Sequence, residues 1–280
     1  MSDLSDKVAL ITGAGSGIGA ALALEAARRG MHLVACDYRA DTVARTVEMA
    51  RAAGSAASVH SRVFDVRDVA AFDRVSAELK TMFGGVDLLC CNAGVLTPGR
   101  VWEMAAADFD ALLDINVKGV VNAIRAFLPD MLARGAASNV LITGSMGGLI
   151  PSPMLSAYSA SKAAVIAIAE TLHLDLAAIG APIRVSLLAP GAVKTGIFDT
   201  EPSDVTSKHL MAAMRAGSER VGMAPSDVAL ISFQAIEAGK FWVFPHPDML
   251  PAVPERIAKI VAGDAPTFDF QRSFRQPAAR

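Results

Sequence analysis

The chain has 280 residues, 52% of them apolar, and its 26 Lys and Arg against 28 Asp and Glu leave a formal net charge of −2. That composition fills one large core, and the near balance of charge excludes a basic stripe for nucleic acid or a polybasic segment for an anionic membrane surface. A mean hydropathy of +0.40 raises the possibility of a membrane span, but the longest uncharged stretch, Gly135 to Ser161, is broken by Gly, Ser, Asn and Pro and holds no apolar run of the required ~20 residues.

The opening "MSDLSDKVALITG" carries two aspartates ahead of an apolar run too short for a secretion signal. Cys36, Cys90 and Cys91 are odd in number and lie in apolar runs, which suits reduced core thiols and a cytoplasmic location. No histidine stands in a metal-ligand spacing and no C-x-x-C pair occurs, so no metal is expected.

Along the chain the runs "KVALIT", "HLVACD", "VHSRVFDV", "VDLLCCNAG", "NVLITGS" and "IRVSLLAP" alternate with alanine-rich, charge-faced segments of helical length. Strands that are apolar on both faces and separated by helices predict a parallel sheet covered on both sides. The expected class is α/β: a Rossmann-like, doubly wound parallel sheet in a single domain over residues 1–262, followed by a tail over 263–280.

The first strand runs into "LITGAGSGIGAAL", which opens the first helix. Glycines there let the backbone turn tightly and approach a pyrophosphate, whose charge meets free N–H groups and the positive end of the helix dipole. The spacing Gly13-x-x-x-Gly17-x-Gly19 is preferred over the overlapping G-x-G-x-x-A match of Gly15, Gly17 and Ala20. Asp37 ends the second strand, where a dinucleotide fold places the acid that binds the adenosine ribose. Its carboxylate repels a 2′-phosphate and favours NAD over NADP, while Arg39, two residues on, is the one element that favours NADP. Asp65 and Val66, at the end of the third strand, are candidates to bound the adenine edge and face.

Ser145 follows the fifth strand in "LITGSMGGL", where glycines expose its hydroxyl to hydrogen-bond and orient a reacting oxygen. In "AYSASKAA", Tyr158 and Lys162 share one helix face, close enough for an ammonium to favour phenolate over phenol. Such a tyrosine takes a hydroxyl proton as hydride leaves and returns it in reduction.

"TGAGSGIG", Asp37, "CNAG" from Cys91 to Gly94, Asn116, Ser145, "YSASK" and "PGAVKT" stand in an order and spacing that resembles the short-chain dehydrogenase/reductase family over roughly residues 7 to 195. The resemblance implies a catalytic tetrad of Asn116, Ser145, Tyr158 and Lys162, with Asn116 holding a helix distortion and a water that links Lys162 to solvent, and Lys162 also bonding the nicotinamide ribose. It implies cofactor contacts from Ser16 and Ile18 in the glycine loop, from Asn92, Ala93 and Gly94, and from Pro190, Gly191, Val193 and Thr195, the last on the nicotinamide carboxamide. Asn92 is also read as a brace between strands. Enoyl reduction is disfavoured, because that branch separates its tyrosine and lysine more widely.

After the sixth strand, residues 195–223 form an insertion with the Met-rich piece "SKHLMAAMRAG", expected as a mobile substrate lid over the crevice, with His209 on it. Leu96, Met146, Leu155 and Phe198 are candidate substrate contacts beside Ser145 and Tyr158, and suggest a hydrophobic alcohol or ketone of alicyclic, aromatic or steroid-like type; packing of the lid explains the same residues equally well. Pro225 and Ser226 start another helix and "KFWVFP" supplies one more strand. The tail, with Phe268, Phe270 and Phe274, is a frayed end or an arm on a partner subunit; a homodimer or homotetramer is expected by resemblance. The function expected is NAD-dependent interconversion of a hydrophobic secondary alcohol and its ketone, the alternatives being an NADP-linked carbonyl reductase and a silent dinucleotide sensor or scaffold.

Overall fold

The computed structural model of the protein describes residues 4–54, 56–199 and 205–268. Strand and helix alternate from the start: β1 (Val8–Thr12), α1 (Gly17–Arg28), β2 (His32–Asp37), α2 (Ala40–Ala52), β3 (Ser58–Val63), α3 (Val69–Phe83) and β4 (Leu88–Cys91). The second half continues with α4 (Ala106–Leu113), α5 (Gly119–Arg134), β5 (Ser138–Thr143), α6 (Met146–Leu149), α7 (Ser156–Ala178) and β6 (Ile183–Leu188). It closes with α8 (Val205–Val221), α9 (Pro225–Glu237), β7 (Trp242–Val243) and α10 (Ala252–Ala262).

The seven strands form one parallel sheet in the order β3-β2-β1-β4-β5-β6-β7, the doubly wound arrangement the alternation predicts. The strand order reverses between β1 and β4, so the loops leaving their carboxyl ends diverge and open a crevice there. All five residues of β1 are buried. Ala9 and Ile11 pack with α1, α2 and α9 on one face, whereas Val8 and Leu10 pack with α3, α5 and α7 on the other. This is why the strand sequences read as unbroken apolar runs instead of alternating.

Local signals set the helix ends. The Asp68 carboxylate accepts from Ala71 N at 3.0 Å at the start of α3, and Gly84 and Gly135 close α3 and α5 in the left-handed conformation. Two expected strands are shorter than read. "VHSRVFDV" is paired only to Val63, because Phe64, Asp65 and Val66 leave the sheet to line the crevice. "KFWVFP" pairs over Trp242–Val243 alone, and Pro245 offers no N–H with which to extend the ladder. Among the described residues, no helix is long and apolar enough to cross a membrane.

Candidate active site

The crevice at the carboxyl end of the sheet has a volume of about 570 Å³. The glycine loop forms its floor. Gly13 and Gly17 have φ of +66° and +54°, which L side chains rarely adopt. A Cβ at Gly17 would sit 2.8 Å from Thr195 Cγ2, so the glycine also admits the segment after β6. Ser16 has N-cap geometry, yet its side chain caps nothing, and the first-turn N–H groups of α1 thus keep their capacity for an anion at the helix's positive end. Gly19 does not line the crevice; a Cβ there would collide with the Gly13 carbonyl, so its part is to let α1 seat against the loop.

Gly15, set aside in the preferred register, is needed too. Its N–H donates to Asp37 Oδ2 at 2.9 Å, and a Cβ would come within 2.8 Å of that oxygen. Asp37 Oδ1 takes the Arg39 N–H at 3.0 Å, which fixes the carboxylate at the crevice wall with little exposure. The Arg39 guanidinium lies over the Tyr38 ring and reaches Ser16 Oγ at 3.5 Å, beside the loop and outside the reach of Asp37. Asp65 lines the same end but is held by Arg67, whose guanidinium bonds hold its carboxyl below the usual range. Val66 packs against Gly119, where a larger residue would strike it.

Asn92 ties three strands together. Its Nδ2 donates to Thr12 O at 3.1 Å, and its Oδ1 accepts from Thr143 Oγ1 at 3.2 Å. Thr12 Oγ1 in turn accepts from the N–H groups of Asn92 and Ala93, which shapes the "NAG" turn along the crevice. Ala93 and Gly94 line it, and a Cβ on Gly94 would stand 3.5 Å from Lys162 Nζ.

Lys162 and Tyr158, on the first turns of α7, are both buried. The Lys162 ammonium donates to Thr143 O at 2.9 Å and lies 5.9 Å from the Tyr158 ring centre. Burial lowers its pKa from 10.5 to about 8. Burial raises the Tyr158 phenol, and a hydrogen bond with Ser145 partly offsets this. Within the protein's own field burial leaves the phenol above its ordinary value, while the ammonium's hydrogen bond goes to a carbonyl. Ser145 Oγ also accepts from Gly147 N at 3.0 Å as the N-cap of α6. A Cβ on Gly147 would sit 3.2 Å from the Tyr158 ring, so the glycines after Ser145 give the phenol its space.

Asn116 sits in a π-helical turn, Asp114–Lys118, between α4 and α5. It is fully buried and outside the crevice lining. Its Oδ1 accepts from Val95 N at 2.8 Å, while Nδ2 donates to Val95 O at 3.0 Å and to Ser161 Oγ at 2.9 Å. The amide is engaged in bracing the loop after β4 against α7.

At the other end, Pro190, Gly191, Val193 and Thr195 line the crevice, and Thr195 Oγ1 caps a short 3-10 turn by accepting from Ile197 N at 3.5 Å. Leu96 and Phe198 line it with Ile115 and Ile197. Met146 and Leu155 do not: Met146 N is tied to Pro190 O beneath the wall, and Leu155 is packed in the apolar cluster with Met211 of α8. His209 is exposed on α8 and away from the lining. Tyr38, Arg67 and Thr143 line the site without having been singled out from the sequence; each lies beside a chosen residue, but side-chain type alone gave no signal. The three cysteines are buried and free, and burial raises their thiols, Cys91 to about 12, out of nucleophilic range. Among the described residues no group of three or more His, Cys, Asp or Glu stands ready to hold a metal. Of the tail, Phe268 is described; Phe270 and Phe274 lie outside the described residues.

Comparison with known proteins agrees in kind. A sequence model described as short chain dehydrogenase matches residues 7–206. A CLA biosynthesis dehydrogenase/reductase of Lactiplantibacillus plantarum is 30% identical over 95% of this chain and 97% of its own length. A 2,3-dihydro-2,3-dihydroxybenzoate dehydrogenase of Bacillus subtilis (strain 168) is 32% identical over 83% of this chain and 91% of its own. The crystal structure of a short chain dehydrogenase/reductase from Burkholderia phymatum in complex with NAD superposes with a TM-score of 0.91 at 36% identity, covering 96% of this chain and 99% of that one.

Proposed function

The chain belongs to the short-chain dehydrogenase family, and from that premise we propose that it interconverts a hydrophobic secondary alcohol and its ketone with NAD. The observation that carries this reading is the buried Tyr158 phenol beside Ser145 and Lys162, in one crevice with the glycine loop and Asp37.

The residues present fit a dinucleotide. Gly13 and Gly17 leave the backbone open to a pyrophosphate, α1 turns its first N–H groups and positive end toward it, and the fixed Asp37 carboxylate accepts from ribose hydroxyls. When bound, NAD supplies the hydride acceptor. Tyr158 as the phenolate takes the proton of the alcohol O–H as the C–H electron pair leaves carbon, and as the phenol gives a proton back in reduction. Ser145 holds the same oxygen in place. Lys162 contributes a positive charge beside the phenol and a donor to the nicotinamide ribose. Asn116 keeps the Val95 loop and α7 in register, so these groups stay aligned.

Leu96, Ile115, Ile197 and Phe198 favour an apolar substrate, and no cationic cluster among the crevice residues near Tyr158 favours a carboxylate or phosphate. α8 with Met211 and Met214, packed on Phe198, acts as the lid over this end. A second reading, NADP-linked carbonyl reduction, draws on Arg39 and Arg67 at the adenosine end. NAD is preferred because Asp37 is fixed by two backbone N–H groups, whereas Arg39 must move to meet a 2′-phosphate.

A panel of hydrophobic secondary alcohols and ketones, assayed with both cofactors by the absorbance of reduced nicotinamide, tests the proposal. Turnover with NAD on some member is expected; none with either cofactor, in protein that binds NAD, would favour the silent sensor. Asp37→Ala is expected to narrow the preference for NAD over NADP by about tenfold or more, and an unchanged preference removes Asp37 from the role given to it.

A further inference from the structure

His246 follows β7, and its ring reaches back to the segment that lines the crevice beyond β6. Gly191 N donates to Nδ1 at 3.0 Å, and Nε2 lies 2.9 Å from Ala192 O. A backbone N–H can only donate and a carbonyl can only accept, so the two contacts together fix the ring as neutral, with its hydrogen on Nε2. The neighbouring ties of this segment are backbone to backbone: Ala189 N to Val243 O at 2.9 Å, Met146 N to Pro190 O at 3.0 Å and Met223 N to Ala192 O at 3.0 Å. Those cannot titrate. His246 can.

Gly191 and His246 fit as a unit. A Cβ on Gly191 would stand 3.0 Å from His246 Cγ and 2.5 Å from Met249 Sδ, so the ring is laid directly against the glycine. Pro190, Gly191 and Val193 all line the crevice, on the side where Thr195 meets Gly17.

We propose that His246 is a positioning residue: as a neutral imidazole it holds residues 190–193 in the shape that lines the crevice, and its protonation in mildly acidic solution releases them. A proton on Nδ1 would turn the acceptor of the Gly191 N–H into a second donor facing it, and the clamp loses that bond. The link to binding rests on the reading of the crevice as a dinucleotide site.

Burial lowers the His246 pKa from its ordinary 6.5; the Ala192 bond and the Asp248 carboxylate oppose this. Asp248 is the charged group whose field reaches the ring; residues 144–149, 189–193 and Met223 carry no charged side chain, and Lys194, whose N–H donates to Met223 O, is exposed. With the folded value below the unfolded one, the clamp contributes fully above the ordinary histidine range and is lost as pH falls through the folded value.

Amide hydrogen exchange of the protein without cofactor, read at Gly191 and corrected for intrinsic rates, is compared between about pH 8 and about pH 5. The wild type is expected to lose about tenfold or more of its protection at the lower pH. His246→Asn, which keeps an acceptor that does not titrate, should show no such step, and His246→Phe should be unprotected at both. Over the same interval the ratio of NAD affinities, His246→Asn to wild type, read by fluorescence titration, should rise about tenfold, which cancels the titration of Lys162 common to both. Wild-type protection in His246→Phe, or the same pH step in wild type and His246→Asn, overturns the proposal. Failure of every form to bind NAD would instead refute the dinucleotide reading and leave the exchange result to decide the role of His246.

Discussion

Tyr158 and Lys162 are four positions apart on α7, and their spacing made them visible as a pair; their titration was not visible. Burial raises the phenol and lowers the amine to about 8, so the amine stays charged at neutral pH while the phenol keeps its proton. Because the phenol must lose its proton before it can accept one, alcohol oxidation is expected to rise with pH while ketone reduction falls. Tyr158→Phe should lower kcat by about a hundredfold or more in both directions with NAD affinity retained; stopped-flow and binding titrations check this, and near-wild-type turnover would refute the mechanism. Lys162 also carries a cost in stability. The unfolded chain keeps the lysine proton between pH 8 and 10.5 where the folded protein does not, so stability rises with pH across that interval, by roughly 3 kcal/mol in all. Lys162→Met should therefore raise the stability at neutral pH by about 1–3 kcal/mol, less the lost bond to Thr143, with the gain shrinking toward pH 10.5. Urea denaturation at several pH values decides it: a pH-independent effect would mean that the buried charge is not its source. Asp37 and Gly15 teach a related lesson, since the acid that meets a ribose also shapes the loop for the phosphates.

At the scale of elements, the loop between β1 and α1 works because two of its residues have positive φ and the space beside them is already occupied. Gly17→Ala combines a left-handed φ with a Cβ 2.8 Å from Thr195; it should cost about 1–2 kcal/mol of stability and weaken NAD by about tenfold or more, measured by thermal unfolding and calorimetric titration. Equal affinity in that variant would place the pyrophosphate elsewhere. The π turn at Asp114–Lys118 shows what the sequence withheld. "FDALLDINVKGVV" reads as ordinary amphipathic helix, and only the resemblance pointed to a distortion. Its reason is long-range: Asn116 must meet Val95 and also Ser161, 45 residues away. His246 gave no signal at all, because its partner Gly191 is 55 residues distant and a lone histidine between prolines has many uses. The α8 segment was legible as an insertion from its methionines, but that Met146 and Leu155 belong to the packing instead of the cavity wall was not.

For the whole molecule, α7 faces outward with Ala160, Ala163, Ala167 and Leu174, a slim face on which a second subunit can come close. A homo-oligomer through this face is expected at micromolar concentration; Ala167→Glu should drive it to monomer in light scattering after size exclusion, and an unchanged mass would move the interface elsewhere. The order of strand and helix, the parallel sheet and the glycine loop were determined by the sequence alone, because they follow from runs of apolar residues and from backbone freedoms that neighbours along the chain specify. So were Tyr158, Lys162 and Ser145 as candidates, through spacing on one element and on the turn after one strand. Tertiary structure decided the rest: that Asn116 braces the loop after β4 against α7, that Gly15 answers to Asp37, that desolvation governs the tyrosine and lysine, and that a histidine beyond the last strand grips the far wall of the crevice. Each of these depends on which distant groups a fold brings within about 3 Å and how much water it removes around them, and neither quantity is written in any local stretch of the chain.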